Sequence, residues 1–240
     1  FGVFGIHGPS ATEKVASVLN HAGAPEPELH FDRGSMGDAG VTVAASDNPT
    51  GEDGYTIICG ADDAPGVFDT LLNHGLNAAP FGEQTWETLT VEAGTPRFEA
   101  ELDGVLPNTV GARHGVDFEK GCFIGQEVVS KVENRGRPSR RLIGLSLDDP
   151  CAPGDELYTD GDAVGEVTRA IDSPSLDTPI ALAFCASDAI DGSFTVHSTA
   201  TEGADGDDPD GDASGVAVDA DRAALPVVDG SATSLRCPTY

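Results

Sequence analysis

Residues Lys120-Gly121-Cys122-Phe123-Ile124-Gly125-Gln126-Glu127 put a thiol, a cation, two glycines and an amide-carboxylate pair into eight consecutive positions. That is more chemistry than a tight turn with a small cysteine as core filler requires. Lys120 can lower the pKa of a thiol two residues away, and glycines let a backbone approach a ligand closely. The stretch reads as a functional loop. Cys122 is the candidate nucleophile, redox handle or transient metal ligand, with Lys120 as the charge that activates it. Gly121, Gly125, Gln126 and Glu127 are candidate binding residues, the last two also able to anchor the loop through backbone hydrogen bonds.

The charge around this stretch points the same way. Between Arg113 and Arg141 lie seven basic residues (Arg113, Lys120, Lys131, Arg135, Arg137, Arg140 and Arg141) against four acids, a net of +3 in a chain whose formal charge is -28. Positive charge concentrated here, in a chain nearly stripped of it elsewhere, points to an anion, since arginine pairs with carboxylates and phosphates through bidentate hydrogen bonds. RNA or an acidic protein patch would each satisfy that charge. Nucleic acid is disfavoured, because the overall charge opposes a phosphate backbone and no aromatic platform is interleaved with the arginines.

Further out, Phe4-Gly5-Ile6-His7-Gly8-Pro9, Leu89 to Gly94 with Pro96, Arg135-Gly136, Gly165-Glu166-Val167-Thr168 and Ile180-Ala181-Leu182-Ala183 follow in a fixed order. With the 120–127 signature, they resemble the superfamily of the glycine-cleavage T-protein (aminomethyltransferase) and the YgfZ-type folate-binding proteins. The Lys-Gly-Cys string is similar to the YgfZ-type branch, with Phe123 in place of a tyrosine. The resemblance implies an α+β fold: a T-protein-like α/β folate-binding domain, its N-terminal part missing, then a small antiparallel β-barrel. It implies tetrahydrofolate as cofactor, in one-carbon metabolism or folate-dependent maintenance of iron-sulfur enzymes, or else an aminomethyltransferase or a non-catalytic docking scaffold. A lipoyl carrier protein or iron-sulfur client proteins are the implied partners. It places Glu92 on the pterin-holding glutamate of a Leu-Arg-x-Glu-Ala-Gly pattern, with Thr90 where that pattern has arginine, and Arg97 and Arg135 beside the ligand. The chain opens at Phe1 inside an apolar strand and is expected to be a fragment, with the T-protein's catalytic aspartate in the segment before it.

Local patterning gives the organisation. Residues 3–7 read as a strand. Ser10-x-x-Glu13 is a capping-box signature opening a helix with Ala11, Val15, Val18 and Ala22 on one face, stopped by Gly23 and Pro25. Tyr55 to Cys59 is a second strand. Asp62-Asp63 and Pro65 start a helix that buries Phe68, Leu71 and Leu72 and runs to Gly75. Glu83 to Thr88 predicts a short helix leading into a strand over 89–92. After Arg137-Pro138 come short alternating runs, at 142–147, 163–167, 180–184, 194–197, 216–218 and 224–228, the texture of a small antiparallel barrel. The expected domains are 1–136 and 137–240, with a disordered acidic hairpin insertion near 201–215.

Composition bounds the rest. Forty-one acidic against 13 basic residues is the salt-adapted, haloarchaeal-like pattern, because screening by salt makes such self-repulsion tolerable. At 39% apolar residues the chain still builds a core. Five cysteines without a Cys-x-x-Cys pair and six scattered histidines indicate neither a disulfide framework nor a metal site; Cys59 and Cys185 are expected to be buried. No apolar run approaches the ~20 residues of a membrane helix. A cytoplasmic protein is expected.

Overall fold

A computed structural model of the chain describes residues 1–26, 30–197, 217–228 and 234–240. The chain divides into two compact units, Phe1–Leu89 with Gly230–Leu235, and Thr90–Asp229 with Arg236–Tyr240. The acidic insertion expected near 201–215 lies outside the described residues, as does residue 216 of the run at 216–218.

The first unit is built on four antiparallel strands, β1 (Gly2–His7), β2 (Phe31–Met36), β3 (Ala39–Ala45) and β4 (Gly54–Cys59), in the order β1-β4-β3-β2. Val43 and Ile57 project from the sheet into a core with Val15 and Val18 of α1 (Ala11–Val18) and Val67 and Leu71 of α2 (Ala64–Asn73). The β2–β3 hairpin was not legible in the patterning. It turns on Gly37 at φ 59 and Asp38, with Met36 paired to Ala39, a two-residue turn whose positive φ favours glycine. Helix α1 forms as expected, but Ser10 makes no side-chain cap and the helix stops at Val18, so Ala22 lies beyond it. Phe68 is exposed rather than buried. It sits one position past Val67, and one step around a helix turns it from the buried face toward solvent.

The second unit opens with the end of α3 (Glu83–Glu92), and the strand expected over 89–92 is helix instead. Tertiary hydrogen bonds to Thr90 and Glu92 override the β-branched composition there. Helix α3 ends in a Schellman turn. Gly94 at φ 64 sends its N–H to Val91 O, and Thr95 N–H reaches Thr90 O at 2.8 Å. Helix α4 (Gln126–Arg135) follows, so the stretch read as a loop from Lys120 to Glu127 is a loop only as far as Gly125.

Six antiparallel strands then close a barrel: β5 (Arg140–Leu147), β6 (Glu156–Thr159), β7 (Asp162–Ser173), β8 (Thr178–Ala186), β9 (Phe194–His197) and β10 (Ala217–Ala223), in the ring order β10-β5-β8-β7-β6-β9. Strand β8 is buried on both faces. Ala181, Ala183 and Cys185 fill the barrel with Leu145, Leu157 and Val196, while Ile180, Leu182 and Phe184 face an outer cluster with Val91, Val110 and Leu142. That two-sided burial is why 180–185 reads as an unbroken apolar run. The run at 224–228 is not a strand. Pro226 has no N–H to give a ladder, and the N–H groups of Val227 and Val228 go to Glu92 O at the end of α3. Cys59 and Cys185 are both buried.

Candidate functional site

The residues singled out in the sequence fall into two groups on different elements of the second unit. The first centres on the C-terminal turn of α3. Glu92 is 7% exposed, and its carboxylate accepts hydrogen bonds from Ser173 Oγ at 2.6 Å and from Ser175 Oγ at 3.1 Å, where β7 turns toward β8. Ending α3 at Gly94 fixes Glu92 and Thr90 on its last turn, and the register of β7 brings the serines to them.

Thr90 stands where the resembled pattern has arginine, and a guanidinium arrives there from elsewhere in the chain. Arg169, on β7, donates through Nη1 to Thr90 Oγ1 at 2.9 Å, through Nη2 to Thr95 O at 2.5 Å and through Nε to Glu101 Oε1 at 2.9 Å. Glu101 is fully buried on the short wide turn Phe98–Leu102. It also accepts from Thr168 Oγ1 and from the backbone N–H of Arg97, both at 2.7 Å. Arg97 itself is mostly covered, with its guanidinium 3.8 Å from Glu99. Arg169, Glu101, Ser173 and Ser175 were not singled out in the sequence. The Arg169–Glu101 pair spans 68 residues, and no local pattern marks such a partner.

The second group is the signature segment, which is exposed from Lys120 to Val128. Asp117 shapes its entry by accepting the N–H groups of Glu119 and Lys120. Gln126 folds its side-chain oxygen back to Phe123 N–H at 3.2 Å, and Gly125 at φ 88 turns the chain into α4. Lys120 Nζ lies 5.5 Å over the Phe123 ring, a cation–π contact. Cys122 is an exposed free thiol, Glu127 points outward from the first turn, and nothing crowds the Cα of Gly121 or Gly125. The side chain of Arg135, the last residue of α4, lies outside the described residues. Burial pushes the thiols of Cys151, Cys185 and Cys237 up to about 11.

Where the basic segment meets the barrel, a cavity of about 160 Å³ opens between residues 107–118, α4 and the start of β5, lined by Arg113, Arg137, Arg141 and Tyr240. The Tyr240 hydroxyl accepts Leu142 N–H and donates to Thr109 O, each at 2.7 Å, and burial raises its pKa above the ordinary phenol value. One cavity of the first unit, of about 400 Å³, is lined by Phe4, His7, Phe68, Phe81 and Trp86. The His7 and Trp86 ring centres are 5.0 Å apart, and burial lowers the His7 pKa despite the nearby Asp47 charge.

Comparison with known proteins bears on both units. Residues 140–229 match the glycine cleavage T-protein C-terminal barrel domain, the stretch that forms the six-stranded barrel. An aminomethyltransferase of Halalkalibacterium halodurans is 34% identical over 186 residues, covering 74% of this chain and 50% of that protein. One from Geobacillus kaustophilus is 37% identical over 189 residues, covering 76% and 52%. The chain thus spans about half the length of the curated relatives it matches. The crystal structure of glycine cleavage system aminomethyltransferase T from Bartonella henselae superposes with a TM-score of 0.74 over 96% of this chain and 60% of that one, at 20% identity, a likeness of fold. The barrel match, the relatives and the shared fold together support the glycine-cleavage T-protein superfamily as the group to which this chain is similar.

Proposed function

We propose that this chain is part of a tetrahydrofolate-binding protein that works in folate-dependent one-carbon transfer of the aminomethyltransferase kind. The observation that carries the reading is the match to aminomethyltransferases over roughly three quarters of the chain. In that reaction a methylene unit leaves the sulfur of an aminomethyl-lipoyl carrier and comes to bridge two amines of tetrahydrofolate. Ammonia departs and the carrier thiol is restored. The protein's share is to orient the folate amines and stabilise developing charge. Glu92 is the proposed pterin holder, on the turn that Gly94 closes, and Arg97 is a proposed ligand contact. The two serines on the Glu92 carboxylate hold it in one rotamer, and they would exchange or share their hydrogen bonds when the amino-pyrimidinone edge of a pterin arrives.

A second reading, the YgfZ-type branch acting in folate-dependent maintenance of iron-sulfur enzymes, is favoured by one feature. Lys120-Gly121-Cys122 presents its thiol to solvent, where a client protein can reach it. Calorimetric titration of the protein carrying this chain with tetrahydrofolate, in molar potassium chloride, tests both. Saturable binding weakened at least tenfold by Glu92→Gln supports the folate site; a folded wild-type protein that binds no folate refutes both readings. Cys122→Ala then separates them. Loss of function in cells with folate affinity intact supports maintenance, and ammonia release from an aminomethylated lipoyl carrier, unchanged by the substitution, supports the transferase.

A further inference from the structure

We propose that the cleft of the first unit between the start of α1, the β3–β4 connection and the start of β4 binds a small organic ammonium ion that carries N–H donors. The cleft measures about 490 Å³, more than a lone ion or water fills, and Thr12, Glu26, Ser46, Asn48, Asp53 and Tyr55 line it. Two carboxylates and no lysine, arginine or histidine are found among its described lining residues. Asn48 is the residue that points to a ligand. It is 6% exposed, and both of its backbone groups are used: its N–H donates to Ser46 Oγ at 3.3 Å, and its carbonyl accepts the N–H of Gly51 at 3.0 Å. Its side-chain amide, by contrast, makes no hydrogen bond among the described residues. An amide covered to this extent is costly to leave without partners.

The proton order of the neighbouring hydroxyls sets the class of ligand. A carboxylate only accepts, so Thr12 donates its hydroxyl proton to Asp53 Oδ2 at 3.0 Å, and Tyr55 must then donate to Thr12 Oγ1 at 2.8 Å. Burial raises the Tyr55 pKa above the ordinary phenol value and keeps that proton on its oxygen. With both protons committed, this wall offers a ligand lone pairs, on Tyr55, on Asp53 and on the Asn48 amide oxygen. Acceptors with negative charge beside them call for a cation that donates, and an ammonium group does so through its N–H bonds. The Asn48 NH2 group remains to donate to a hydroxyl on the same ligand, as in ethanolamine. A metal ion fits less well, because no three carboxylate, histidine or cysteine groups among the described residues are placed to hold one. Every residue used here belongs to the first unit, whereas Glu92 belongs to the second, so this site does not rest on the folate reading.

The test is calorimetric titration of the folded protein at neutral pH, in one fixed concentration of potassium chloride, with ethanolamine and with tetramethylammonium, which has the same charge and no N–H. Wild type is compared with Asp53→Asn, Asn48→Gly and Asp62→Asn, the last an exposed acid outside the cleft. The amide oxygen of Asp53→Asn still accepts the Thr12 hydroxyl, and Asn48→Gly suits the φ of 54 at that position, so both variants keep the fold, as circular dichroism checks. The expected result is saturable ethanolamine binding, at least tenfold weaker in Asp53→Asn, at least threefold weaker in Asn48→Gly and unchanged in Asp62→Asn, with tetramethylammonium at least tenfold weaker in wild type. No saturable ethanolamine binding by wild type overturns the proposal. So does an equal loss in Asp53→Asn and Asp62→Asn, an unchanged affinity in Asn48→Gly, or tetramethylammonium binding as tightly as ethanolamine, since each of these reduces the site to diffuse attraction by an acidic surface.

Discussion

Replacing Arg169 with methionine removes a cation that the second unit has buried almost completely, at 5% side-chain exposure against 0% for its partner Glu101. Three hydrogen bonds go with it, to Glu101, Thr90 and Thr95. What remains is a carboxylate out of reach of water, balanced among the described residues by the Thr168 hydroxyl and the Arg97 N–H. Breaking a buried pair from one side costs about 3–5 kcal/mol, mostly the cost of the stranded charge. At about 3 °C per kcal/mol for a unit of this size, the midpoint of thermal unfolding falls by about 10–15 °C. The assay is thermal unfolding followed by circular dichroism for wild type, Arg169→Met, Glu101→Gln and the double variant. Because the stranded charge dominates, adding Glu101→Gln to Arg169→Met recovers at least ~1 kcal/mol. The pair is also shielded from counterions, so the shift is the same in one and three molar potassium chloride. A single-variant cost below about 1 kcal/mol, or costs that simply add, refutes the reasoning.

The remaining expectations concern the barrel, the thiols and the first unit. Gly165→Ala drives a methyl group into the Phe184 carbonyl oxygen across the β7–β8 ladder and is expected to cost about 3 kcal/mol, read by urea unfolding. An effect within the scatter of surface substitutions means the two strands part easily there. Maleimide at neutral pH labels one thiol of the native protein rapidly, and peptide mapping finds it at Cys122, because the other four cysteines are covered wholly or in part; rapid labelling of Cys151 or Cys237 contradicts this. The His7 pKa is lowered by burial, so its contribution to stability is complete above about pH 6.5, the unfolded value, and is lost as pH falls from there toward the folded value. Thermal midpoints at pH 7.5 and 5.5 should therefore differ more in wild type than in His7→Gln, and equal differences remove His7 as a source.

What could be read from residue order alone was whatever depends on neighbours in the chain. The alternation in β5 and the two-faced run of β8 announce a barrel because each side chain's environment repeats with the pleat. Helix α2 is signalled by Pro65 and its apolar spacing. The hairpin of β2 and β3 escaped because β2 is a sheet edge with Asp32, Arg33 and Gly34 in its middle, and solvent accepts them there. Lys14 was equally invisible. It is buried on α1 because its ammonium donates to the carbonyls of His74 and Leu76, each at 2.6 Å and some sixty residues away. Around the candidate sites the pattern is the same. Glu92 and the 120–127 string stand out by spacing, whereas the guanidinium that meets Thr90 and the Tyr240 ring that carries Arg141 are supplied by distant segments.

Strand β10 closes the barrel by pairing with β9 on one side and β5 on the other, and it is the last strand of the ring to leave a ribosome. A nascent chain that has not reached Ala217 therefore carries two open strand edges at once, each a template for a neighbouring chain. The stretch synthesised just before that strand, residues 198–216, contains five aspartates, one glutamate and no lysine or arginine. Its like charge repels a second copy during the interval when both edges are bare. A messenger truncated within this stretch thus yields the protein in its most aggregation-prone form, and shortening the acidic run would be felt first as a loss of soluble yield rather than of stability in the finished barrel.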